Sequence, residues 1–201
     1  AKQASDIVLL DDNFSTIRDA VKEGRTIFNN IRKFIDYLLT CNLAEVAIIF
    51  FITLFFSFDE PILYPVQLLW INLLTDGLVA LALGADPPAL NIMSVPPRKN
   101  KEPLLNKRLI RLIVFIGIKK AILLITIFLI ILPHGLEMAR STLITGIVLF
   151  EFVRIGAIRY DEALGWFDNK WLVGGLVISV ALQVLITYTG INQYFYLVPL
   201  G

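Results

Sequence analysis

Asn42 and Glu45 stand three residues apart in an apolar stretch, a spacing that puts both on one face of a helix. Asn72, Thr75 and Asp76 follow at i, i+3 and i+4 in a second apolar stretch, again one helical face. Glu151 lies in a later one, with Arg154 one turn on. Asn42, Glu45, Asn72, Thr75, Asp76 and Glu151 together offer carboxylate, amide and hydroxyl oxygens. That is the donor set of a hard cation, and Ca²⁺ takes roughly 6–8 such oxygens. His134 is the one histidine and Cys41 the one cysteine. A soft-metal site would need more of either, so both read as structural.

The stretches that carry these residues are membrane-like. The chain has 201 residues, 57% of them hydrophobic and 17% charged, with a mean hydropathy of +0.73. Soluble domains run nearer 45–50% apolar and about 25% charged. Disorder needs low hydrophobicity and high net charge, and a disulfide scaffold needs paired cysteines; the composition excludes both. A net charge of +1 gives no reason to expect a nucleic-acid partner.

Five stretches reach the roughly 20 apolar residues needed to span a bilayer: Tyr37–Phe58, Ile62–Ala85, Leu109–Leu132, Ser141–Ile158 and Trp171–Ile191. At 1.5 Å per residue, Glu45 lies about 20 Å from Phe58, Asp76 about 21 Å from Ile62 and Glu151 about 15 Å from Ser141. Three carboxylates on three helices therefore fall near one level. Without a cation, repulsion and desolvation oppose bringing them together. The alternative for Asn42, Asn72 and Thr75 is plain interhelical hydrogen bonding. The three acids at one depth tip the reading toward a cation site, because intramembrane charge is costly.

Ahead of the first span the pattern is different. Ile7–Leu10, followed by Asp11, Asp12 and Asn13, reads as a buried strand with a turn after it. From Ser15 onward apolar residues recur at helical spacing, Asn13 or Ser15 can cap the start, and no proline intervenes before Pro61. One helix over Thr16–Phe58 is expected, with a break at Gly24 as the alternative. It would be about 60 Å long, twice the hydrocarbon thickness. Lys22, Arg25, Arg32 and Lys33 precede the first span, and Arg98, Lys99, Lys101, Lys107 and Arg108 fill the next connection on that side. The positive-inside rule then places the N-terminus in the cytoplasm.

Other intramembrane features are less regular. Arg154 is spaced to pair with Glu151. Lys119 and Lys120 interrupt the third span; they snorkel or face the bundle. Asp76–Gly77 marks a candidate local unwinding, of the kind transporters use to expose carbonyls to ions.

The run ASDIVLLDDNFSTIRDAVKEGRTIFNNIRKFIDYLLTCNLAEV resembles the end of the phosphorylation domain and the stalk of P-type cation ATPases. PVQLLWINLLTDGLVALALGADPP resembles that family's sixth membrane helix, and IMSVPPRKNKEPLL the cytoplasmic loop after it. The second half of the chain matches by hydropathy and by Glu151. Within the family the sequence is most similar to calcium pumps of the sarcoplasmic-reticulum type and their prokaryotic relatives.

The resemblance implies an all-α membrane helix bundle of about five transmembrane helices, matching helices five to nine of ten, with a short remnant of the phosphorylation domain. The divisions would be 1–14 for that remnant, 15–58 for the stalk and first membrane helix, 59–85 for the second, 86–108 for a cytoplasmic loop and 109–201 for the remaining helices. It also implies that Asn42 and Glu45, then Asn72, Thr75 and Asp76, then Glu151, match the family's ligands on its fifth, sixth and eighth helices. Arg154 departs from the amide-containing stretch found there.

By the same resemblance the activity is ATP-driven cation export from the cytoplasm through an aspartyl-phosphate, with Ca²⁺ as cargo. ATP and Mg²⁺ would act only in the full-length pump. No DKTGT, TGDGxNDAP or TGE motif occurs in the chain. The expected partners are therefore the remainder of the pump: nucleotide, phosphorylation and actuator domains, the first four membrane helices and the tenth. The other partner is the lipid bilayer, with the plasma membrane as the default location. A pump for Na⁺, K⁺ or H⁺, a stand-alone non-enzymatic membrane protein and a passive channel are the competing readings. An unpaired strand at Ile7–Leu10 speaks against the stand-alone protein, and the lack of an internal repeat against the channel.

Overall fold

A computed structural model describes residues 13–97 and 103–200. Five helices are long and apolar enough to cross a membrane: α1 (Phe14–Phe55), α2 (Pro65–Gly84), α3 (Lys107–Ile131), α4 (Leu136–Asp161) and α5 (Lys170–Tyr188). Among the described residues no strand occurs. The expected strand at Ile7–Leu10 and the basic residues Arg98, Lys99 and Lys101 lie outside them.

α1 is one unbroken helix of 42 residues. Asn13 is its cap, its side chain accepting from the Ser15 backbone N–H at 3.0 Å; Ser15 itself is already helical. The break considered at Gly24 does not form, and a Cβ there would meet nothing within 4 Å. The helix stops at Phe55, three residues short of the expected end, where Phe56 turns to extended backbone.

α2 begins at Pro65, whose fixed φ suits a first helical turn. Inside it a wide π-helical turn occupies Trp70–Thr75, and α-helix resumes at Asp76. The irregularity thus precedes the Asp76–Gly77 step expected to unwind. Such π turns are found mostly at functional sites.

Small residues let the helices approach closely, as in other membrane bundles. A Cβ on Gly117 of α3 would lie 3.1 Å from the Leu43 side chain and 3.3 Å from the Thr40 carbonyl of α1. A Cβ on Gly146 of α4 would lie 2.7 Å from Leu124 of α3. Two apolar clusters result. One, toward the end where α1 stops, gathers Ile48, Ile52, Ile71, Phe128, Leu143 and Ile147. The other, toward the start of α1, gathers Tyr37, Val79, Leu83, Ile155 and Leu172. Phe50, Leu54, Leu81, Ile122, Leu149 and Val177 point outward from the bundle, as lipid-facing side chains do.

Each end of the bundle is tied by polar groups. Where α1 stops, the buried Arg140 donates to the carbonyls of Pro61 (2.9 Å) and Ile62 (3.2 Å) and to Glu60 (3.1 Å). Its guanidinium lies over the Tyr64 ring, which stacks on Tyr196. Near the start of α1, Asp86 is bound by Lys33 of α1 at 2.9 Å, by Asn169 at 2.7 Å and by Arg159 of α4.

Candidate functional site

Between the two apolar clusters lies a buried polar network fed by four helices. Asp76 of α2 is fully buried; its Oδ1 accepts from the Tyr37 hydroxyl of α1 at 3.0 Å. Glu151 of α4 is also fully buried, and its Oε1 lies 3.1 Å from the Thr75 hydroxyl. That hydroxyl also lies 2.7 Å from the Ile71 carbonyl. The Asp76 and Glu151 carboxyls are neighbours in this network. Glu45 of α1 receives the Asn72 amide at 3.4 Å. On its other side stands the Lys120 ammonium of α3, 3.9 Å from Oε1.

Five of the six expected ligands, Glu45, Asn72, Thr75, Asp76 and Glu151, are therefore drawn into one network. Asn42 is not: half-buried, it donates to the Leu38 carbonyl of its own helix at 2.9 Å. Asn72 joins only from the rim. It is exposed, and its amide also bonds the Leu68 carbonyl at 3.0 Å. The single-face reading of Asn72, Thr75 and Asp76 assumed regular α-helix, and the π turn interrupts that register.

Arg154 does not pair with Glu151. Its Nη2 lies 2.6 Å from Oδ1 of Asp36, toward the start of α1. Helical spacing allowed the Glu151 contact, but an anion on the neighbouring helix takes the guanidinium instead. Lys119 and Lys120 part company. Lys119 is exposed, with its ammonium over the Phe115 ring at 4.2 Å; Lys120 is fully buried.

The network is short of partners. Glu45 Oε1, Asp76 Oδ2, Glu151 Oε2 and the Lys120 ammonium are buried and make no hydrogen bond. Buried polar atoms are rarely left so. Three unpartnered carboxylate oxygens in an apolar surround fit a hard cation in donor chemistry. Among the described residues no three of His, Cys, Asp and Glu close on one point as a finished metal cage. Asp76 and Glu151 are neighbours, and Glu45 has the Lys120 ammonium beside it.

Two participants were not among the expected ligands. Tyr37 is the first residue of the expected span and carried no signal. Lys120 did carry one, a lysine at membrane depth, but nothing along the chain said which way it pointed.

Five apolar helices around a buried acidic network define a multi-pass helical membrane protein with ionisable groups held at mid-bundle. Comparison with known proteins names the family. Residues 60–201 match the family described as "Cation transporting ATPase, C-terminus". The chain belongs to that family, as a C-terminal membrane segment of a P-type ATPase. It is 38% identical over 194 residues to the calcium-transporting ATPase of Bacillus subtilis (strain 168). That match covers 94% of this chain and 22% of the relative, so the chain spans about a fifth of its length.

Proposed function

We propose that the chain is the ion-carrying membrane segment of an ATP-driven pump that moves Ca²⁺ out of the cytoplasm. The observation that carries this reading is the buried network in which Asp76, Glu151 and Glu45 each keep an oxygen without a hydrogen bond. Thr75, Asp76 and Glu151 would form the heart of the ligand set, with Glu45 and Asn72 beside them. The Bacillus relative is a calcium-transporting ATPase, which supports Ca²⁺ as cargo. ATP, Mg²⁺ and phosphoryl transfer would belong to nucleotide, phosphorylation and actuator domains, and helices one to four and ten of the intact pump would complete the bundle. The start of α1 would face the cytoplasm, in keeping with the basic residues ahead of its apolar half, and the plasma membrane would hold the pump.

The geometry suggests how such a site would be driven. α1 is continuous and about 60 Å long. It carries Tyr37 and Glu45 at the network, while its first turns lie outside the apolar part of the bundle. A displacement applied at Phe14 would reach Glu45 through one rigid element. Carboxylates from α1, α2 and α4 meet at the network, so a shift of one helix changes the coordination offered to an ion.

The test is Asp76→Asn in the intact pump, read as Ca²⁺-dependent phosphorylation from ATP. Loss of that dependence is expected. A variant that responds to Ca²⁺ like the wild type would sink the assignment.

A further inference from the structure

We propose that Lys120 is a resident positive charge of the cation site and limits it to one divalent ion per cycle. The inference rests on reading Asp76, Glu151 and Glu45 as the ion's carboxylates, and it adds a fourth charged member from a helix that supplies no ligand.

A lysine at bilayer depth ordinarily snorkels to water. Lys119 takes the outer surface of α3; Lys120 cannot. Gly117, one turn earlier, presses α3 against Leu43 and the Thr40 carbonyl of α1. The face that carries Gly117 also carries Lys120, so the close approach delivers the ammonium to the polar side of α1. There it is fully buried, makes no hydrogen bond, and lies 3.9 Å from Glu45 Oε1 and 5.6 Å from the centre of the Phe150 ring.

The neighbouring buried cations are engaged elsewhere. Arg154 is held by Asp36, and Lys33 and Arg159 by Asp86. Lys120 is the buried cation left facing the network among the described residues. At 3.9 Å from Glu45 it is too far for a hydrogen bond, yet close enough for strong attraction in an apolar surround.

Charge then sets the load. Asp76, Glu151 and Glu45 bring three negative charges when ionised, and Lys120 returns one. A single divalent ion neutralises the remainder. Glu45, which also receives the Asn72 amide, is the carboxylate beside the ammonium, and Thr75, Asp76 and Glu151 are left to seat the ion. Without Lys120 the same acids would hold charge for more than one divalent ion.

The experiment compares wild type, K120M and K120R in the intact purified pump. Radiolabelled Ca²⁺ bound at equilibrium is counted against phosphoenzyme formed from ATP in the same preparation. Wild type and K120R are expected to bind about one Ca²⁺ per phosphorylation site without cooperativity. K120M is expected to bind more than one, cooperatively, and on the order of tenfold more tightly. A merely structural lysine would not change the count, and rescue by arginine ties the effect to charge. Two ions in the wild type, or a K120M count and affinity equal to wild type, overturn the proposal. Should K120M fail to assemble, the wild-type count still decides. If another cation drives phosphorylation, the calcium reading falls, and Lys120 is judged by the same count made with that cation.

Discussion

Asp76 and Asp86 are both buried carboxylates on one stretch of chain, and they are treated in opposite ways. Asp86 has every oxygen engaged: Oδ1 by Arg159 and Asn169, Oδ2 by Lys33. Its backbone carbonyl also receives the Asn30 amide at 2.7 Å. Asp76 has one oxygen bonded to Tyr37 and the other unpartnered, next to Glu151, which is itself half-satisfied. A carboxylate paired with two cations and an amide belongs to a clamp that joins α1, the end of α2, α4 and the start of α5. A carboxylate beside another carboxylate, with a free oxygen, stores unfavourable electrostatics that a cation would relieve. Burial is alike in the two places. The completeness of the hydrogen bonding separates scaffold from site.

The comparison is broken most directly by neutralising each acid in turn. Asp86→Ala strands Lys33 and Arg159 without their anion, and removing one partner of a buried pair costs about 3–5 kcal/mol. Thermal unfolding of the purified protein in detergent is expected to show that loss. Asp76→Asn, measured without Ca²⁺, is expected to leave the midpoint unchanged or raise it, since it removes repulsion with Glu151. Equal destabilisation by both variants would make Asp76 a second scaffold residue.

A smaller effect sharpens the contrast from the packing side. Gly117→Val would force a branched side chain against Leu43 and the Thr40 carbonyl. Overpacking of this kind costs about 1–3 kcal/mol. The expected result is a lower unfolding midpoint, together with Ca²⁺ binding altered in the direction of K120M, because the wedge moves Lys120 off the network. A lower midpoint with wild-type binding would separate the packing contact from the site.

The smallest effect lies at the end of the bundle where α1 stops. There Glu60 is exposed, and hydrogen bonds from Tyr64 and then Arg140 hold its carboxyl below the usual glutamate range. A depressed pKa of this sort contributes stability at pH above the unfolded value, and the contribution is lost as pH falls through the folded value. Glu60→Gln removes the titrating group. The difference in unfolding midpoint between wild type and variant should be small at neutral pH and should close as the pH drops below the usual glutamate range. A difference that grows with acid would show that Glu60 is not stabilised in its charged form.

Hydropathy and the lack of proline before Pro61 were enough to foresee five membrane-length helices and an unbroken α1. Both are properties of a single segment, set by its own burial and backbone bonding. That Glu45, Asp76 and Glu151 fall at a common level of the bundle was equally legible, since rise per residue is fixed. Choices between helices were not legible. Arg154 had Glu151 within reach on its own helix and took Asp36 across the interface. Lys120 had water and lipid as alternatives and was turned inward by the contact at Gly117. Asn42 had the right residue type and spacing, yet its amide returned to the Leu38 carbonyl. The clamp at Asp86 draws on α1, α4 and the residue before α5, and no spacing along the chain announces it. By itself the sequence determined which segments are long and apolar enough to cross a membrane and how far along its helix each polar group sits, because these depend on local composition and helical geometry. The tertiary structure alone decided which polar group meets which, because that depends on how each helix is rotated and how closely its neighbours approach.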